Sequence, residues 1–275
     1  MRDTAPLYGG ARRPKPRGER NDHRGIEATS MAKTEPVEGD RAFRALTTRL
    51  AASLSRGQHV VLWGPRGSGK STLLRAVLPE LRTARCALCT STSSLDDITR
   101  ALERAYSEVA TAGLTRRAAR SRLWWAADAE PGCLLLDHVA HVPSAMKGWL
   151  RRLRGGVVGV TLAVDVDSPR ERQRLRDMRI GCMSLRMPPT SSRTLTFLLK
   201  QAWRLEPAFA LPAAACRILV RAARGRPGWI VLCAALGAEP RYWHQQQLRA
   251  HVLALDTEMR LRAVNPADPT AQCRH

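Results

Sequence analysis

The sequence predicts an α/β fold: a three-layer sandwich around a central parallel sheet, followed by a small α-helical region. Three observations carry this expectation. Apolar runs of strand length recur at His59–Trp63 (HVVLW), Cys86–Thr90, Cys133–Asp137 (CLLLD), Gly156–Asp165 and Ile180–Met187. Segments with helical spacing lie between most of them, and strands alternating with helices imply parallel βαβ units. After Pro188–Pro189 the strand runs stop and only helical patterns remain.

Each element has a local reason. Phe43, Leu46, Leu50 and Leu54 recur on one helical face, and Gly57 can end that helix. HVVLW is short and wholly apolar, as a strand buried on both faces requires. A glycine-rich turn and the helix STLLRAVLPELR follow. Leu95–Ala112 reads as an amphipathic helix capped by Ser94 or Ser93, and Arg116–Ala129 as a basic helix. Helices are also expected over Ser144–Arg154 and over Pro169–Met178, where Ser168 caps and Pro169 stands just inside the start. Ser191–Trp203, Pro212–Arg224 and Trp229–Leu236 form the helical region.

The expected organisation is a disordered basic tail over 1–40, a sheet domain over 41–189, a helical lid over 190–262 and a frayed tail over 263–275. Residues 1–40 are rich in Pro, Gly and Arg without a hydrophobic period. Met31 is a second candidate start, because ordered patterning begins soon after it.

Composition narrows the function. Hydrophobic residues make up 44% of the chain, enough for a packed core. No apolar run approaches a membrane span, and the N-terminus lacks the apolar segment of a secretory signal. Seven cysteines without an export signal point to reduced thiols in the cytoplasm. Cys86 and Cys89 form a lone CxxC on a strand and read as buried structural thiols. The net charge is +21, which attracts polyanions such as nucleic acid. Lysine occurs at five positions only, so forty of the forty-five basic residues are arginine. Arginine and alanine in place of lysine and asparagine also follow from codon usage in a GC-rich bacterial genome.

Gly64-Pro65-Arg66-Gly67-Ser68-Gly69-Lys70-Ser71 fits G-x-x-x-x-G-K-[ST] without mismatch, between a buried strand and a helix. Glycines let backbone N–H groups surround phosphates, and the helix start aims its positive dipole end at the same anion. In this P-loop Lys70 would neutralise the β- and γ-phosphates, Ser71 would ligate Mg²⁺, and Thr72 would sit near the α-phosphate of ATP. Asp137, ending CLLLD, fits the strand-end acid that reaches the metal. His138 stands where many ATPases place a glutamate to polarise water; a neutral imidazole can accept that proton, and hydrolysis is expected to be slow or to use another acid.

A guanine-reading NKxD motif and an ABC-type signature are absent. The layout over about residues 40–240 resembles AAA+ ATPases, especially the STAND and Orc/Cdc6-like branch and bacterial helper ATPases of the ExeA or TniB kind. That resemblance implies a sensor-1 residue near the end of GVVGVTLAVD, with Asp165 and Thr161 as polar candidates. It implies an arginine finger on PRERQRLRDMR, with Arg176 and Arg179 able to reach a neighbouring subunit; a solvated charged face is the plain alternative. Arg224-Gly225-Arg226-Pro227-Gly228 resembles the sensor-2 region, with Pro227 near the adenine and Arg226 or Arg224 replacing the arginine absent at Gly228. A plain turn between two helices fits the same residues.

Trp124 and Trp125 are adjacent on a helix and cannot both face one core; partial burial is the commoner outcome, with exposure of one to a partner as the alternative. Arg151, Arg152 and Arg154 read as a solvated helix end. Three functions fit: an ATP-driven conformational switch, a DNA-associated helper ATPase of the transposition or replication-loader type, and a nucleotide-binding scaffold without turnover. A homo-oligomer or a protein partner accompanies any of them.

Overall fold

The computed structural model describes residues 41–81, 85–92, 94–130, 132–139, 159–178, 181–204 and 210–263. The first half holds α1 (Arg41–Ser55), β1 (Val60–Gly64), α2 (Lys70–Val77), β2 (Cys86–Cys89), α3 (Leu95–Ala105), α4 (Arg116–Ala129), β3 (Cys133–Leu136), β4 (Gly159–Asp165), α5 (Pro169–Met178) and β5 (Met183–Arg186). The rest is α6 (Ser192–Arg204), α7 (Ala213–Ala223), α8 (Pro227–Gly237), a short hairpin of β6 (Trp243–His244) and β7 (Gln247–Leu248), and α9 (Ala250–Ala263). The expected helix over Ser144–Arg154, with Arg151, Arg152 and Arg154, lies outside the described residues, as do residues 1–40 and Arg179.

The five strands form one parallel sheet in the order β2-β3-β4-β1-β5. Strand side chains alternate between its faces, and both faces are covered. Val61, Leu134, Leu136, Val160, Leu162 and Val164 pack with Ile98 and Leu102 of α3, Leu123 of α4 and Leu175 of α5. Val60, Leu62, Leu135, Ala163 and Leu185 pack with Phe43, Leu46, Leu50 and Leu54 of α1 and with Leu73, Leu74 and Val77 of α2. This is the expected three-layer sandwich. None of the six described cysteines forms a disulfide, and Cys89 is buried.

A third apolar cluster joins α6–α9, with Trp203, Leu219, Trp229, Ile230, Tyr242 and Leu253 inside. The final helix and its hairpin were not legible in the sequence. Val252, Leu255 and Met259 of α9 are exposed, so its outward residues are as apolar as its inward ones and no clean stripe marks it.

Helix α3 is shorter than the expected Leu95–Ala112. Ser94 is the cap, in a reciprocal box with Asp97. The helix stops because Tyr106 leaves helical geometry (φ −117°, ψ 52°). Its buried ring turns inward and its hydroxyl donates to the Glu130 carbonyl at 3.1 Å.

Candidate functional site

The Gly64–Ser71 turn sits at the C-terminal edge of the sheet, where β1 passes into α2. Gly67 (φ 76°) and Gly69 (φ 94°) occupy the left-handed region that favours glycine. A Cβ on Gly64 would lie 2.9 Å from Met187 Cβ and 3.0 Å from Ser68 Oγ, so only glycine fits there. Gly69 is the N-cap of α2 and supplies no capping side chain. The first backbone bond of the helix is Leu73 N–H to the Gly69 carbonyl at 2.9 Å. The amides of Lys70, Ser71 and Thr72 therefore have no acceptor within their own helix, and with the dipole they suit an anion. The turn fits a phosphate chain.

Lys70 is 6% exposed and points back into the turn. Its ammonium donates to the Gly64 and Pro65 carbonyls, each at 3.0 Å, and to Ser68 Oγ at 3.4 Å. A fourth oxygen, Asp165 Oδ1, lies 2.6 Å away. Parallel pairing of β1 with β4 sets Asp165 directly beside Gly64. Burial pushes the Asp165 carboxyl up, but Lys70, then Arg66 and His138, outweigh it and hold the group below the usual aspartate range.

Arg66 connects this pair to the helical half. Its Nε lies 3.3 Å from Asp165 Oδ2, and its Nη1 donates to the Leu261 and Arg262 carbonyls at the C-terminal end of α9, both at 3.2 Å. The Arg66 backbone N–H donates to the Asp167 carboxylate. The Gly228 N–H donates to the Gly67 carbonyl at 2.9 Å, and Pro227 lies against Gly69. The start of α8 thus rests directly on the P-loop tip. The interaction of Arg66 with α9 had no sequence signal, because α9 itself was unrecognised. The repeated acid in Asp165-Val166-Asp167, just past a strand, was the available clue to Asp167.

Asp137 follows β3, which is separated from β1 by β4. Its N–H bonds the Cys89 carbonyl at 2.9 Å, extending the β2–β3 ladder by one residue. Its carboxylate is buried and accepts from the His138 N–H at 2.9 Å. His138 has φ 51°, which turns its imidazole back so that Nε2 stands 3.7 Å from Asp137 Oδ2.

Two sensor expectations are corrected. Thr161 pairs in register with Val60 and Leu135 inside the sheet, fully buried, four residues before the strand end. It cannot reach a ligand at the edge, and Asp165 is left as the polar residue there. Arg226 is committed elsewhere: Nη2 lies 2.6 Å from Glu258 Oε2 of α9, and Nη1 3.4 Å from Oε1. It fastens α8 to α9, while Arg224, in the left-handed region (φ 50°), is exposed. Arg176 is exposed on α5 with Nη1 3.4 Å from Gln173 Oε1.

The family profile described as AAA domain matches residues 52–167. No curated protein sequence matches the chain. Among solved structures, a Walker-type ATPase of Pyrococcus abyssi superimposes with a TM-score of 0.51 at 16% identity, over 80% of this chain and 73% of that one. Domain III of the replication initiation protein DnaA of Thermotoga maritima gives 0.49 at 14% identity, over 78% and 90%. A variant of Thermotoga maritima RuvB gives 0.44 at 17%, over 84% and 72%. Residues 52–167 are thus similar to an AAA domain, and the parallel sheet with its glycine turn has the P-loop fold seen in the Walker-type ATPase.

Proposed function

We propose that the protein is an ATP-driven conformational switch in which Lys70, Asp165 and Arg66 read the nucleotide and α9 receives the signal. The observation that carries this reading is the shared carboxylate. Asp165 holds the P-loop ammonium at 2.6 Å on one oxygen and, at 3.3 Å on the other, the guanidinium that also binds the end of α9.

Lys70 can serve one strong anion at a time. Drawn to the β- and γ-phosphates, its ammonium leaves Asp165. The carboxylate then depends on Arg66 for its counter-charge. Arg66, turning toward Asp165, gives up the Leu261 and Arg262 carbonyls and loosens the end of α9. Ser71 and Asp137 are the residues that would hold Mg²⁺, which supplies charge neutralisation on the phosphates when bound. Pro227, resting against Gly69, is the candidate to border a bound nucleoside.

His138 supports slow or partner-dependent hydrolysis. The residue directly after Asp137 is His138, not a carboxylate, and its imidazole faces Asp137. Arg176, exposed on α5, is the candidate to complete a site from a second copy. A scaffold without turnover is the second reading, favoured by the same histidine.

Titration calorimetry with ATP and GTP, followed by phosphate release with Mg²⁺, tests the proposal. Lys70→Ala should abolish binding while circular dichroism shows an intact fold. Unchanged affinity in that variant would refute the site, and tight ATP binding with zero phosphate release would select the scaffold.

A further inference from the structure

Helix α4 carries arginines on two faces that differ in their pairing. Toward α3, Arg116 Nη1 lies 3.8 Å from Glu103 Oε1 and Arg120 Nη1 lies 3.5 Å from Asp96 Oδ1. Those two charges are matched within the fold. On the outer surface, Arg117 and Arg122 are exposed, and neither pairs with a carboxylate among the described residues. Trp125 stands on the same surface and is 67% exposed.

The tryptophan pair resolves into two roles. Trp124 is partly buried against the sheet core formed with Leu123 and Ala127. Trp125 turns outward. Arg122 and Ser121 precede Trp125 by three and four residues, so they neighbour the indole on the helix surface, with exposed Ala118 one turn further back. Asp128 is the exposed acid on this side of α4, beyond the indole. Among the described residues nothing covers this large apolar ring, and leaving it in water forgoes the burial that aromatic residues ordinarily gain.

We infer that the outer face of α4 is a docking platform for single-stranded nucleic acid. A flat indole accepts a base by stacking, and the unpaired guanidiniums of Arg122 next to it and Arg117 two turns back along the helix can meet phosphates of the same strand. A duplex offers no free base face, so the indole favours a single strand. The chain's net charge of +21 gives the long-range attraction that such a partner needs. An acidic protein partner would satisfy Arg117 and Arg122 but gives the indole no base to stack upon. The inference is independent of the nucleotide-switch reading.

The test uses the full chain and a fluorescein-labelled oligothymidine of about 20 nucleotides, followed by anisotropy at several salt concentrations. Trp125→Ala should weaken binding about 5- to 100-fold, and Trp125→Phe should retain most of the affinity. Arg117→Ala with Arg122→Ala should lower the slope of log K against log salt by about 1.4, two phosphate contacts on a single strand. Heparin, an anion without bases, should bind wild type and Trp125→Ala alike. Because Trp125 is exposed, its variants should melt as wild type does. Equal oligothymidine affinity in wild type and Trp125→Ala overturns the inference. So does a Trp125→Ala variant that changes sedimentation behaviour and leaves oligonucleotide affinity intact, which would mark a protein interface instead.

Discussion

Replacing Asp165 by asparagine removes the carboxylate that holds the P-loop lysine and leaves its shape nearly unchanged. Lys70 and Asp165 are 6% and 13% exposed, so the pair is largely shielded from water. At an effective dielectric of about 20, unit charges ~4 Å apart attract by about 4 kcal/mol, and desolvation cancels part of that. The orphaned ammonium keeps the Gly64 and Pro65 carbonyls and Ser68 Oγ, and can still bond the new amide oxygen. The net loss for the nucleotide-free protein should therefore be about 2–3 kcal/mol, below the ~3–5 kcal/mol of a fully broken buried pair. In a chain of this size that lowers Tm by about 5–10 °C. Nucleotide must take Lys70 away from Asp165, so the same change should tighten binding, about tenfold for ~1.4 kcal/mol of relieved competition. Thermal melts with and without ATP, paired with calorimetry, give both numbers. A variant that is as stable as wild type and binds ATP no more tightly would refute the competition between Asp165 and phosphate.

Further outcomes are expected at the contacts around this pair. In Gly228→Ala the new Cβ would meet Gly67 Cα at 3.0 Å, backbone that cannot yield easily, so Tm should fall by an amount equivalent to about 1–3 kcal/mol. Arg226→Ala should cost about 2–3 kcal/mol by leaving Glu258 only its exposed partner Arg262, and hydrogen exchange should show the α8–α9 contact opening. Loss of ATP affinity without loss of Tm would instead support a direct role for Arg226 at the phosphates. The hydrogen bond from Arg226 holds Glu258 below the ordinary glutamate pKa despite partial burial, and Asp165 is likewise depressed. Their stabilisation is complete above the ordinary carboxylate range and fades as pH falls through the lower folded values. Tm should accordingly drop below about pH 4, less steeply in Glu258→Gln. His138→Asn keeps a residue tolerant of the left-handed backbone and removes the base; turnover should fall about 100-fold with ATP affinity unchanged, as phosphate release and calorimetry would show.

Much of the architecture is written locally. The β1 run, the glycine turn and the α2 pattern occupy adjacent residues, so periodicity and backbone freedom define the P-loop without knowledge of the remainder. Asp137 was legible for a similar reason, because it ends an apolar strand. The α9 helix was not legible, since its exposed Val252, Leu255 and Met259 erase the stripe that periodicity detects. Helix α3 was overextended, because the packing of Tyr106 against Glu130 stops it and spacing does not register that contact.

The sequence by itself determined the sandwich, the glycine-rich turn between β1 and α2 and the acid at the end of β3, all of which follow from neighbours along the chain. Tertiary structure alone decided which polar residues lie at the candidate site. Thr161 and Asp165 lie on one strand, yet register buries the first within the sheet and sets the second beside Gly64. Arg226 and Arg66 are both arginines near glycines, yet one meets Glu258 and the other bridges Asp165 to α9. Hydrogen bonds and ion pairs act through space at a few ångströms, between residues up to 196 positions apart, and nothing in local order reports that distance.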